Sequence, residues 1–252
     1  MASRGRAKIA IGRGLAVWLL EAKDGFGEAH FHSHHAIQLT VCLDGVLTLT
    51  GDATRLSGDV LAVAPDARHK LDAAGLLAIV FIEPESAAGR TLLATLFSTE
   101  PLAVVSNPEF LKELQTLRHA LEPAFAQERM IEVCGQAVDR LVPPAIAPAA
   151  DARIARVIAY ANDHLDVSLA EAATAAGVYL SGDRLRHLFV EHTGLPFKTY
   201  MLWLRLVRAV QLYSLGQSLT HAAHSAGFAD SAHFSRAFKR TFGAPATTLR
   251  RL

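Results

Sequence analysis

The sequence predicts an α+β multidomain protein: an N-terminal β-barrel carrying a helical hairpin, then an all-α domain with two helix-turn-helix units. Three observations carry this. Residues 9–83 break into short segments of alternating polarity separated by turn residues. From residue 150 onward the apolar residues recur at helical spacing. Between them stands Val142-Pro143-Pro144-Ala145-Ile146-Ala147-Pro148, whose prolines remove backbone donors and disfavour helix. The predicted divisions are 1–105 for the β-domain, 106–142 for the helical hairpin, 143–149 for a stiff linker and 150–252 for the helical domain.

Composition narrows the class. With 51% hydrophobic and 19% charged residues over 252 positions, the chain can build sizeable cores and is not a disordered polymer. Two cysteines, Cys42 and Cys134, exclude a disulfide scaffold and read as small buried residues. Arg4, Arg6 and Lys8 precede the apolar stretch Ile9 to Leu20, but Arg13 interrupts it and no small-residue cleavage site follows. That stretch reads as a strand rather than a secretory signal. No uninterrupted apolar run reaches the roughly 18 residues of a membrane span. A soluble, cytoplasmic protein is expected.

In the N-terminal part, Ile37-Gln38-Leu39-Thr40-Val41 alternates, Asp44-Gly45 offers a turn, and Val46-Leu47-Thr48-Leu49-Thr50 alternates again before Gly51-Asp52. This is a hairpin or meander pattern. Val60 to Ala64 and Leu76 to Ile82 add strands, and short strands at this spacing suggest a small barrel or sandwich. Residues 109–141 change to helical spacing. Leu111, Leu114, Leu117 and Leu121 form one stripe, and Ile131, Cys134, Val138 and Leu141 another. These stripes either cover an open face of the sheet or pair with a second subunit.

Beyond the linker, Ile154, Val157, Ile158, Ala161 and Leu165 keep helical spacing, and Ser168-Leu169-Ala170-Glu171 is a capping box. Residues 168–243 contain a repeat. Ala172-Ala173 and Gly177 recur as Ala222-Ala223 and Gly227, and Leu188-Phe189 and Gly194 as Ala237-Phe238 and Gly243. Each copy reads as an Ala-rich helix, a glycine turn, a second helix and a closing glycine, the form of a helix-turn-helix. A long helix from about Pro196 to Leu215 joins them. The charge agrees. Residues 1–149 carry 13 basic and 17 acidic side chains, residues 150–252 carry 12 and 7. A basic domain beside an acidic one fits a polyanion partner for the second alone. Two rigidly joined units can place their second helices in successive major grooves. Those helices carry Asp183, Arg184, Arg186 and His187 in the first copy, and Ser231, His233, Ser235, Arg236, Lys239 and Arg240 in the second.

On Ala226-Gly227-Phe228, then Phe234-Ser235-Arg236-Ala237-Phe238-Lys239-Arg240 and Phe242-Gly243, the chain resembles the AraC-type bacterial transcription regulators. Arg184-Leu185, Leu188-Phe189, Thr193-Gly194, Tyr200, Leu204-Arg205-Leu206 and Ala209 extend the resemblance over about residues 151–251. It implies recognition helices at about Ser181 to Glu191 and Asp230 to Phe242. Base contacts would fall on Asp183, Arg186 and His187, and on Ser231, His233 and Arg236. Phe189, Phe228, Phe234 and Phe238 would be core. Three departures stand out: a longer stretch between Gly177 and Phe189 through Val178-Tyr179-Leu180, Ala232 at a usually polar place, and a shifted proline in Gly243-Ala244-Pro245-Ala246.

His30, His32, His34 and His35 fall within six residues, and Gly58 and Pro65 precede His69. His32-x-His34 with Gln38 and Gly45, then Pro65-x-x-x-His69, resembles the two cupin motifs in reduced form, with Gln38 where cupins often have glutamate. On a regular strand His32 and His34 share a face, and at most half of the four histidines face inward. Neutral imidazoles suit a divalent transition metal such as Zn, Ni, Co or Cu. The alternatives are a pocket for an organic effector, or structural histidines. The tentative metal or effector set is His32, His34, Gln38 and His69.

The leading reading is a sequence-specific regulator of transcription, not an enzyme, with no catalytic residues. It would bind double-stranded DNA and respond to a small-molecule or metal effector in the β-barrel. A homodimer and RNA polymerase are the further partners this implies. The rival is a metal-dependent cupin-type enzyme fused to a DNA-binding module.

Overall fold

The computed structural model describes residues 6–27, 30–142 and 150–246. The linker expected at 143–149 lies outside the described residues. The chain divides into two compact units, Met1–Ala147 with Phe238–Leu252, and Pro148–Ala237.

The first unit is built on a seven-stranded antiparallel sheet. Its strands are β1 (Arg6–Gly12), β2 (Leu15–Gly27), β3 (Ile37–Gly51), β4 (Arg55–Ser57), β5 (Val60–Val63), β6 (His69–Ile82) and β7 (Leu102–Val104). They pair in the order β1-β2-β6-β3-β5-β7, with β4 on β3. The stretch Ile9 to Leu20 is two strands rather than one, because Gly14 takes φ +74° and lets the chain double back. The turn expected at Asp44-Gly45 is not a turn. β3 runs through it and pairs with β6 along its length, with a bulge between Cys42 and Asp44. There Gly45 at φ +113° faces Gly75 at φ +106°, and a side chain on either would strike the opposite backbone at 2.0 Å. Two glycines thus let two long strands kink together, where sequence reading alone sees a hairpin.

β3 explains how the sheet serves two purposes. Ile37, Leu39, Val41 and Leu43 enter one continuous apolar core with Val17, Leu19, Val80 and Ile82. Gln38 and Thr40, on the alternate face, are also buried. The strand is covered on both sides. The apolar core is closed by α1 (Ala87–Leu96), which the sequence did not announce, α2 (Pro108–Leu114), a 3-10 segment (Gln115–His119) and α3 (Gln127–Leu141). Phe110, Leu114, Leu117, Met130, Val133, Cys134 and Val138 are buried in it. Of the two uses open to the hairpin stripes, covering the sheet is the one these faces serve. Gln127 and Lys8 tie β1 to the hairpin through the carbonyls of Ile9 and Glu122.

The helical part comprises α4 (Ala152–Asp163), α5 (Leu169–Ala175), α6 (Gly182–Thr193), α7 (Phe197–Ser214), α8 (Leu219–Ser225) and α9 (Ser231–Phe242). Side-chain caps start five of them: Asp151, Ser168, Ser181, Ser218 and, for α9, Asp230, whose carboxylate accepts from the His233 amide at 2.6 Å. The Ser168–Glu171 capping box is formed as the sequence predicts. The repeat glycines Gly177, Gly194, Gly227 and Gly243 all have positive φ. Ala172, Ala173, Ala222 and Ala223 are buried. α5–α6 and α8–α9 are therefore the two helix-turn-helix units, with α7 between them.

Candidate functional site

α6 and α9 show why particular positions are free to meet a ligand. On α6, Leu185, Leu188 and Phe189 turn inward, and Phe189 meets the rings of Phe197 and Tyr200 at 5.1 and 5.4 Å. That leaves Asp183, Arg184, Arg186 and His187 exposed. On α9, Phe234 and Phe238 are buried, and Phe234 packs on Phe228 at 5.4 Å. His233, Arg236, Lys239 and Arg240 are exposed, while Ser231 and Ser235 are half-buried. The four phenylalanines assigned to the core are all in it.

Three candidates are already engaged. The Ser235 hydroxyl donates to the Ser231 carbonyl at 2.7 Å, back-bonding within its own helix. Arg186 is paired with Asp183 one turn earlier. Arg205, part of the motif that carries the resemblance, donates to the Leu165 carbonyl at 2.8 Å and lies against Gly227. Its role is to fix α7 and the turns, not to reach outward.

The histidine cluster gathers differently from a strand. His32 forms an isolated bridge with His69, the first residue of β6, and the chain bends after it. Strand parity therefore does not hold. His32, His34 and His35 are all buried and only His30 is exposed. His35 leaves the others and meets Glu85 at 3.0 Å. Sequence reading missed this pair, because Glu85 is 50 residues away.

His32, His34 and His69 converge, with one ring nitrogen of each lying within 4.8 Å of the others. Two backbone carbonyls set the ring orientations. The Nδ1–H of His34 donates to Ala36 O at 3.0 Å and that of His69 to Ala67 O at 2.9 Å. In both rings this leaves Nε2 as the lone pair. The buried Nε2 of His69 makes no hydrogen bond. Burial pushes His69 down to about 2, His32 to about 3 and His34 to about 4, so all three rings are neutral at pH 7. Gln38, 2% exposed, brings Oε1 to 2.9 Å from His34 Nε2, and its amide nitrogen donates to Thr40 Oγ1 at 2.9 Å. With the only proton of neutral His34 given to Ala36, two lone pairs meet at that contact. The contact becomes a hydrogen bond if the amide turns over, donating its NH2 to His34 Nε2 and accepting from the Thr40 hydroxyl.

Among known proteins, residues 173–252 match the model of a helix-turn-helix domain. The transcriptional activator RhaS of Escherichia fergusonii is 43% identical over 94 residues, which is 37% of this chain and 34% of that protein. RhaS of Enterobacter sp. (strain 638) is 36% identical over 93 residues, again 34% of its length. The match thus spans about a third of these curated relatives. Among solved structures, ToxT of Vibrio cholerae O395 aligns over 99% of both chains with a TM-score of 0.57 and 12% identity. ToxT of strain SCE256 with bound unsaturated fatty acid aligns over 94% of this chain and 95% of its own, at 0.58 and 15%. At such identity the likeness is one of fold, and it spans the β-domain and the helical domain together. The curated relatives are transcriptional activators by name. Over residues 173–252 the chain is thus similar to the helix-turn-helix domains of known transcriptional activators.

Proposed function

We propose that this chain is a sequence-specific DNA-binding regulator of transcription whose effector binds among His32, His34 and His69. The observation that carries the DNA reading is α9, whose exposed face holds Arg236, Lys239 and Arg240 with no acidic residue on the helix. Arginine suits guanine edges and lysine suits phosphates. Homodimerisation and contact with RNA polymerase follow from the resemblance alone.

For the effector, the donor set favours a divalent transition metal. His32, His34 and His69 would hold it, with Gln38 beside them. Metal-binding histidines characteristically donate their second ring nitrogen to a backbone carbonyl or carboxylate, and His34 and His69 already do so. A carboxylate such as that of the fatty acid bound to ToxT would need donors, and His34 and His69 already give their N–H groups to backbone carbonyls. When bound, the metal would supply a fixed positive centre and cross-link the His32–His34 segment to β6.

Two measurements on the full chain test this. Selection from random double-stranded DNA should enrich one sequence motif, and failure to enrich any motif refutes the DNA reading. Metal analysis after exposure to Zn, Ni, Co and Cu should give near one ion per chain, lost in His34→Ala and His69→Ala. No retained metal in the wild type refutes the metal reading and leaves an organic effector.

A further inference from the structure

The two helix-turn-helix copies are not equivalent. Their first helices align at an offset of 50 residues, Leu169–Ala175 on Leu219–Ser225, and their second helices at 49, Gly182–Thr193 on Ser231–Phe242. The first turn is therefore one residue longer. Val178 and Phe228 occupy equivalent buried places. After Phe228 comes Ala229 alone and then the cap, Asp230. After Val178 come Tyr179 and Leu180 and then the cap, Ser181. The extra residue leaves Tyr179 85% exposed at the head of α6.

The charges differ as well. α6 carries Asp183 and Glu191 against Arg184 and Arg186, so it has no net charge from these groups. α9 carries three cations and no acid. At the aligned positions, Val190 and Glu191 stand where α9 has Lys239 and Arg240. The pairing of Arg186 with Asp183 spends one of the two cations that α6 has. By itself, then, α6 is poorly equipped to hold a phosphate backbone, yet the same turn that leads into it presents an aromatic hydroxyl to solvent. One exposed aromatic is ordinary on a protein surface. This one is singled out by its place, by the residue inserted to present it and by the cations that α6 lacks farther along.

We infer that Tyr179 docks on the backbone of double-stranded DNA, its hydroxyl donating to a phosphate oxygen, and anchors the first unit where Lys239 and Arg240 anchor the second. Tyrosine is among the side chains that make such contacts, which position a domain without reading sequence. The inference rests on the DNA-binding reading above.

The test uses the full chain and its selected DNA, with Tyr179→Phe and Tyr179→Ala compared by fluorescence anisotropy. Tyr179→Phe should weaken binding about 10- to 100-fold, the worth of one hydrogen bond to a charged group. The loss should be equal on selected and random DNA. The slope of affinity against salt should not change, because a neutral hydroxyl releases no counterion. With 85% of the residue exposed, circular dichroism melts of both variants should match the wild type. Wild-type affinity in Tyr179→Ala would overturn the inference and assign the residue to another partner. A loss in Tyr179→Ala that Tyr179→Phe does not share would overturn the hydroxyl contact in favour of ring packing. A loss confined to the selected sequence would overturn the backbone assignment. A wild type that enriches no DNA motif fails earlier, at the reading on which this one depends.

Discussion

His34 has one proton to give and two oxygens facing it, and that conflict is the sharpest feature of the pocket. Its members were partly legible from sequence. His32, His34, Gln38 and His69 stand at a recognisable spacing, and all four are buried together. What could not be read was the loss of strand parity that also buries His35, nor the carbonyls of Ala36 and Ala67 that orient two rings. Half-buried Glu83 feels the charge of His35. The Glu83 carboxyl is pushed up to about 7, first by burial and then by the charge of Glu85, with His35 and Arg13 pulling the other way. An acid whose folded pKa is raised favours the folded state while it is protonated. Its contribution is complete below its ordinary value of 4.5 and is lost as pH rises through about 7. We expect the first unit to lose on the order of 1–3 kcal/mol of stability between about pH 5 and about pH 8. Glu83→Gln should flatten that slope. Urea melts followed by Trp18 fluorescence in a Trp203→Phe background would measure it, and an unchanged slope in the variant would assign the loss elsewhere.

At the scale of elements, the helical repeat was legible almost throughout. Capping residues, glycine positions and paired alanines are local signals, and local signals fix short helices and their turns. The strands were less so. Gly45 and Gly75 make sense only once β3 and β6 are paired, because each is there for the other's backbone. α1 escaped for a similar reason: its sequence, AAGRTLLATL, carries no acidic first turn and no basic last turn. The two roles proposed for the exposed cations of α9 can be separated by experiment. Arg236→Ala should cost about 1–3 kcal/mol on the selected DNA and relax discrimination at one base pair. Lys239→Ala should weaken binding evenly across sequences and reduce the salt slope by about one. Titrations at several salt concentrations on matched and mismatched duplexes distinguish them. Equal losses for Arg236→Ala on both duplexes would make it a phosphate contact instead.

For the whole molecule, an effector changes DNA binding only through a difference in its affinity for two states of the chain. Linkage then makes the effect reciprocal. If metal alters DNA affinity by some factor, DNA must alter metal affinity by the same factor. Removing metal with a chelator should therefore shift the DNA dissociation constant, and saturating DNA should shift the metal dissociation constant equally. Calorimetry on metal-free and metal-loaded protein would read both. Two unequal shifts would mean that the chelator acts on something other than this equilibrium, and no shift at all would make the pocket structural.

The sequence by itself determined the two-domain order, the duplicated helix-turn-helix, the cationic face of α9 and the set of imidazoles. Each of these is written in short-range spacing, which periodicity and capping chemistry convert directly into structure. Only the tertiary structure decided that the hairpin helices close the sheet, that β3 and β6 kink together at facing glycines, that His35 turns away to Glu85, and that the first turn displays Tyr179. Those outcomes depend on which distant backbone lies opposite, and on which faces burial consumes. A chain's local pattern does not contain that information until the strands have paired.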